Sequence, residues 1–180
     1  MNAKLFLIRW VAWGSRKLSS LFIRSTYLVG TLLRRPRLRM LGLREAAERQ
    51  LRRGRRERAR QMANELLTLA DQLPRDWNYG NAIHHGHLLL GRIALLKGDV
   101  ATASAELLAA GRTPGSPQLN SFGPNCQLAL ELLRAGQPEP VLAYLEACGD
   151  FWKMNSGRRA QWLTEVRGNR NPEFGPNLLY

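Results

Sequence analysis

All three histidines of the chain lie in one short segment, HHGH, at positions 84–87. Clustered imidazoles can hold a transition metal or transfer protons, so this segment is the first candidate for chemistry. Successive helical residues turn by about 100°, so His84 and His87 could share an ion while His85 points elsewhere. A catalytic zinc ion needs a third protein ligand, and Cys126 is the one plausible soft ligand nearby. We therefore expect no metal site and interpret the histidines as parts of an ordinary helix.

Other catalytic patterns are missing from the sequence. It contains no HExxH, P-loop, GxGxxG or GxSxG motif. Cys126 and Cys148 form no CxxC pair and have no recognisable His–Asp partner arrangement, so we expect two packed thiols in a reducing compartment. These absences predict a non-catalytic protein without a cofactor.

The 180-residue chain is long enough for one domain with a core and an appendage. Its charge is divided sharply along the sequence. Residues 1–60 contain 17 arginine and lysine residues against three acids, a net charge of +14, whereas residues 61–180 contain 10 against 11, a net charge of −1. No acid precedes Glu45. This division predicts a basic arm that binds a polyanion, either a membrane surface or a nucleic acid.

The arm, residues 1–36, contains two apolar stretches, 4–13 and 18–33, that are interrupted by Arg9 and Arg24. Each is too short and too charged to predict a membrane-spanning helix. Both are amphipathic, and aromatic rings beside cations without acids are typical of helices that lie in the plane of a membrane surface. The expected membrane- or anion-binding residues are Phe6, Trp10, Trp13, Arg16, Lys17, Phe22, Arg34 and Arg35.

Three other interpretations of the arm stay open. The stretches could pack on the protein or on a partner as additional core. The Arg-rich segment 34–60 could bind nucleic acid or the ribosome, although no aromatic residue lies within it. In a eukaryote, an acid-free amphipathic start would indicate a mitochondrial presequence. The membrane interpretation implies a cytoplasmic protein that is peripheral on the inner face of the membrane.

Residues 37–180 contain three segments with a common pattern of helix, glycine turn and helix. The turns are centred on Gly54, Gly98 and Gly136, and small residues such as Gly91 and Ala103 lie where two helices would cross. Each such hairpin must stack on a neighbour to bury its apolar face. The pattern therefore predicts an all-α solenoid of about three hairpins behind an amphipathic arm.

The second segment, LLLGRIALLKGDVATASAELLAA, resembles the tetratricopeptide repeat (TPR) family, and the resemblance extends loosely over residues 40–150. The fragments TPGSPQLNSFGPN and FGPNLLY also resemble an uncharacterised family of bacterial repeat proteins, which implies no activity. The TPR resemblance implies a concave groove for a protein or peptide partner. The arginines at the groove positions suit an acidic partner. The residues at groove positions include Arg44, Arg52, His85, Leu88, Arg92, Leu95, Leu130 and Arg134.

The connection between the second and third segments, residues 111–123, is unusually long and rich in proline, glycine and serine. Its end, FGPN at 122–125, recurs at 174–177. We expect the second copy to fold back beside this loop, Pro124 to begin the first helix of the third hairpin, and residues 157–167 to form a closing helix. The resulting functional expectation is a scaffold or adaptor that binds a peptide partner while its arm contacts a membrane. The alternative is a nucleic-acid- or ribosome-associated protein.

Overall fold

The computed structural model describes Leu28, Gly30, Thr31 and residues 35–179. This part of the chain is all-α, with no strand. Its helices are α1 (Pro36–Arg52), α2 (Arg56–Gln72), α3 (Tyr79–Leu95), α4 (Val100–Gly111), α5 (Pro117–Phe122), α6 (Gln127–Arg134), α7 (Pro138–Ala147) and α8 (Arg158–Arg167). Two 3₁₀ turns, Cys148–Asp150 and Gly175–Leu178, follow α7 and α8.

The three predicted glycine turns are confirmed. Gly54, Gly98 and Gly136 have φ angles of +72°, +81° and +73°, in the left-handed region that favours glycine. They join α1 to α2, α3 to α4 and α6 to α7, and the two helices of each pair are in contact. Helices from adjacent pairs also pack together, which is compatible with a helical repeat.

Helix α3 lies at the centre of the fold because both of its faces are buried. Leu89 and Ile93 belong to an apolar cluster with α1 and α2, while Leu88 and Ala94 belong to a second cluster with α4, α6, α7 and α8. At Gly91, an added Cβ would collide with the Leu128 side chain and lie 3.1 Å from the Cβ of Glu106. The absence of a side chain there lets α4 and α6 approach α3, as expected from the sequence.

The third hairpin departs from the first two, and the prediction that Pro124 begins its first helix is wrong. Helix α6 begins at Gln127 and has eight residues, against 17 in α1 and α3. The preceding Cys126 N–H donates a 2.8 Å hydrogen bond to the carbonyl of Asn177, in the C-terminal 3₁₀ turn. The carbonyls of Pro124 and Asn125, which a helix beginning at Pro124 would use, accept bonds from the side chains of Asn177 and Tyr144. Tertiary contacts therefore favour the later start of this helix.

The C-terminal segment folds back as expected. Asn177 is fully buried, and its side-chain amide donates to the carbonyls of Phe122 and Pro124 at 3.1 and 2.8 Å. The two FGPN copies are therefore in direct contact. Phe174 packs edge-on against Trp162 of α8 at 4.9 Å between ring centroids, and α8 is the predicted closing helix.

Most of the arm lies outside the described residues, including Phe6, Trp10, Trp13, Arg16, Lys17, Phe22 and Arg34. Leu28, Gly30 and Thr31 are helical, and the Gly30 carbonyl accepts a 2.8 Å bond from the Arg35 N–H. Arg35 is exposed and precedes α1. None of the helices within the described ranges combines the length and the apolar character needed to span a bilayer.

Candidate functional site

A pocket of about 410 Å³ opens where α1, α2 and α3 meet the inserted helix α5. α5 is part of the long connection noted in the sequence. It begins after Ser116, whose Oγ accepts a bond from the Leu119 N–H at 3.0 Å, with Pro117 in its first turn. The pocket is lined by Met40, Leu41, Arg44, Leu66, Asn78, Asn81, Ala82, His85, Gln118, Leu119, Phe122 and Gly123.

One wall of the pocket is a chain of amides. Asn81 donates to the Oδ1 of Asn78 at 2.8 Å and to the Oε1 of Gln118 at 3.0 Å, and it accepts a 2.7 Å bond from Ser116. The amide oxygens of Asn78 and Gln118 are therefore occupied. Their amide N–H groups are not bonded to any described residue, so they can donate to a bound molecule.

Arg44 and His85 supply the other polar groups of the pocket. Arg44 uses Nε to bond Glu48 at 2.9 Å, and no described residue accepts a bond from its terminal nitrogens. The His85 side chain is 8% exposed and has no hydrogen bond to the described part of the chain. Burial, with the nearby Arg44 charge, lowers the pKa of His85 well below its ordinary value, so its ring is neutral. The pocket thus presents one cation and several hydrogen-bond donors.

The remaining predicted groove residues lie elsewhere. Leu88 is buried in the C-terminal core, and Leu95 and Leu130 are partly buried against it. Arg92 forms an ion pair with Glu131, with nitrogen–oxygen distances between 2.9 and 3.1 Å. Arg52 and Arg134 are exposed at the helix ends. The structure therefore brings together only Arg44 and His85 from the predicted set in this pocket.

The cluster HHGH separates into three different environments. His84 is fully buried, and its Nε2 accepts a 3.1 Å bond from the Asn125 N–H. Its Nδ1 must then carry the proton that it donates to the Ala110 carbonyl at 2.9 Å. His87 Nδ1 lies 2.7 Å from a Glu106 carboxylate oxygen, on the side of α3 that faces α4. Both His84 nitrogens are thus used in structural bonds.

No group of three or more His, Cys, Asp or Glu side chains that could hold a metal ion lies together in the described ranges. Cys126 and Cys148 are buried, and burial raises the pKa of both thiols, so they stay protonated. The clustered histidines are explained by helix packing, since α3 is buried on two sides.

Stability should depend on pH through His84. Burial lowers the pKa of His84 to about 4, from an ordinary value of 6.5, and the Arg44 and His87 charges act in the same direction. The unfolded chain therefore binds a proton at pH values where the folded chain does not. The free energy of unfolding is therefore highest above pH 6.5. As the pH falls towards 4, it decreases by about 3 kcal/mol because of this residue. Urea unfolding measured between pH 7 and 4.5 tests this, and a free energy of unfolding that stays constant over this interval would contradict it.

Sequence reasoning missed several residues of the pocket. The side chains of Asn78, Asn81 and Gln118 come from two segments that only tertiary folding brings together. The helix α5 had a recognisable signal, since serine followed by proline is typical of a helix start. No sequence signal indicated the partners Glu106 and Glu131, because no spacing in the sequence relates them to His87 and Arg92.

Comparison with known proteins gives no relative: no protein-family profile, curated protein or solved structure matches this chain.

Proposed function

We propose that the protein is a non-catalytic, TPR-like adaptor that binds an acidic peptide in the pocket between α1, α3 and α5. The observation that carries the proposal is the excess of donors there. The Arg44 terminal nitrogens and the amide N–H groups of Asn78 and Gln118 all lack acceptors among the described residues. Carboxylates and peptide carbonyls are the acceptors that satisfy such a set.

The apolar part of the pocket suits the same partner. Leu41, Leu66 and Leu119 lie beside the polar groups, so a peptide can bury an aliphatic or aromatic side chain while its acidic group meets Arg44. The three stacked hairpins and their glycine turns support the TPR-like assignment, because repeats of this kind form concave surfaces for peptides. His84 and both thiols are fully buried outside the pocket lining, so they offer no reactive group to such a ligand.

Replacing Arg44 with glutamine is expected to weaken peptide binding about tenfold, because a charge-assisted hydrogen bond is lost. Peptides are first selected from a random phage-displayed library against the full chain, and their Kd values are then measured by fluorescence anisotropy. We expect the selected peptides to contain Asp, Glu or a free C-terminus beside an apolar residue. Glu48 keeps an ion pair with Arg52, at 3.6 Å, so the variant should remain folded.

The matched control is Arg75→Gln, which removes an exposed arginine outside the pocket lining. It should leave the Kd unchanged. Failure to select any peptide, or equal Kd values for the two variants, would overturn the peptide-binding proposal.

We further propose that the arm, residues 1–36, associates with an anionic membrane surface, which would place the protein peripherally on the cytoplasmic face. The aromatic residues and cations of the arm support this, since cations near anionic headgroups each contribute about 1 kcal/mol. The full chain should float with vesicles of phosphatidylcholine and phosphatidylserine, and less with phosphatidylcholine alone. Substituting Trp10→Ser and Trp13→Ser should abolish most of the flotation, whereas Trp77→Ser, on the folded body, should not. Flotation that is equal in all three proteins would count against the arm as the membrane contact.

A further inference from the structure

The turn between α1 and α2 carries an unusual concentration of positive charge. Six arginines lie between positions 52 and 60, on both sides of Gly54, and all are exposed. We refer to Arg52, Arg53, Arg55, Arg56, Arg58 and Arg60 as the arginine turn. The peptide pocket does not include any of them.

Ion pairs inside the protein do not neutralise the arginine turn. Arg52 lies 3.6 Å from Glu48 and Arg60 lies 3.4 Å from Glu57, and Glu57 is shared with Lys97 at 2.8 Å. Arg55 and Arg58 bond only to neutral glutamines, at 3.4 and 3.1 Å. Arg53 and Arg56 have no acidic partner among the described residues.

The fold does not need these side chains. Within this segment the buried contact is made by Ala59, and like charges spaced four apart on a helix, such as Arg56 and Arg60, repel each other. Helix α2 also begins here without a side-chain cap, and the positive end of its dipole adds to the charge of this turn. We expect a bound polyanion to reduce this repulsion.

We propose that the arginine turn binds the phosphate backbone of a nucleic acid. A guanidinium group matches a phosphate with two parallel hydrogen bonds, and a chain of phosphates can engage several arginines at once. No aromatic residue lies between positions 52 and 60, so bases have nothing to stack on and binding should be independent of sequence.

A membrane surface fits the arginine turn less well. In-plane membrane binding uses apolar side chains beside the cations, but the apolar residues here, Leu51 and Ala59, are buried. The turn also lies at the far end of α1 from Arg35. The 17 residues of α1 span about 25 Å, against a screening length of about 8 Å at physiological salt.

The test is fluorescence anisotropy of the full chain with a labelled RNA duplex and a labelled DNA duplex of equal length and unrelated sequence, over a salt series. The variant combines Arg53→Gln, Arg55→Gln and Arg56→Gln. We expect both duplexes to bind. The variant should lower the slope of log K against log salt by about 2 to 3 and weaken binding at moderate salt about 10- to 100-fold. The matched control, Arg75→Gln with Arg112→Gln and Arg170→Gln, removes the same charge from exposed sites elsewhere and should change both quantities much less.

Several results would overturn the proposal. Equal losses in the two triple variants would show a general charge effect, and failure of the unmodified chain to bind either duplex would exclude the site. Binding to phosphatidylserine vesicles is measured in parallel. If the arginine-turn variant loses vesicle binding but keeps duplex binding, the turn is assigned to lipid instead. Equal far-ultraviolet circular dichroism and melting temperatures show that both variants are folded. Because the pocket residues are untouched, the result is independent of the peptide proposal.

Discussion

Deleting residues 174–180 is expected to lower the free energy of unfolding by about 5 kcal/mol or more, because several buried contacts are lost together. The ring of Phe174 is 1% exposed and packs on Trp162, and truncating such a ring costs about 3–5 kcal/mol by itself. The deletion also removes the Asn177 amide from the carbonyls of Phe122 and Pro124. The melting temperature should fall by about 10–20 °C, measured by circular dichroism.

The control for this deletion is Leu179→Ala, which shortens a side chain that is 74% exposed. It should leave the melting temperature within a degree or two of the original, since exposed substitutions change stability little. The deletion removes the Asn177 carbonyl from the Cys126 N–H, at the start of α6, so the third hairpin should lose hydrogen-exchange protection most. Unchanged melting after the deletion would show that the tail does not stabilise the repeats.

Replacing His84 with leucine is expected to lower the free energy of unfolding by about 4 kcal/mol. Leucine fills a similar volume but cannot bond to either partner. The Ala110 carbonyl and the Asn125 N–H would stay buried without partners, at about 1–3 kcal/mol each. Asn125 lies at the start of the third hairpin, and its carbonyl accepts a 2.7 Å bond from Tyr144. His84 therefore ties the second hairpin to the third.

The matched control is His87→Leu, the same substitution three residues later on α3. His87 is about a quarter exposed and contacts the Glu106 carboxylate, so its loss should cost about 1 kcal/mol. Urea unfolding of both variants at pH 7 gives the comparison. If the two variants lose equal stability, His84 is not the link between the hairpins.

The two substitutions also separate the structural and metal-binding interpretations of HHGH. If HHGH held a metal ion, added zinc would raise the melting temperature of the unmodified protein until the site was saturated. Both variants would then bind zinc more weakly. The bonds of His84 to Ala110 and Asn125 predict no such rise, because both ring nitrogens are engaged.

The sequence by itself determined the all-α fold class, the three hairpins and the closing helix. These features depend on local chemistry, since Gly54, Gly98 and Gly136 supply turns that other residues resist, and the apolar spacing fixes which helix faces are buried. The recurrence of FGPN also predicted the return of the C-terminal segment, in which Phe174 and Asn177 are buried.

Only the tertiary structure decided what the charged and polar residues do. The resemblance to the TPR family implied that Arg92 and Leu88 line a groove, but Arg92 is paired with Glu131, 39 positions away, and Leu88 is buried where α3 is covered on a second side. The start of α6 likewise depends on Asn177, which lies 51 residues beyond Cys126. Contacts between segments so far apart leave no periodic trace in the chain, so ion-pair partners and the burial of the second face of α3 follow from packing, whereas turns and helices follow from local preference.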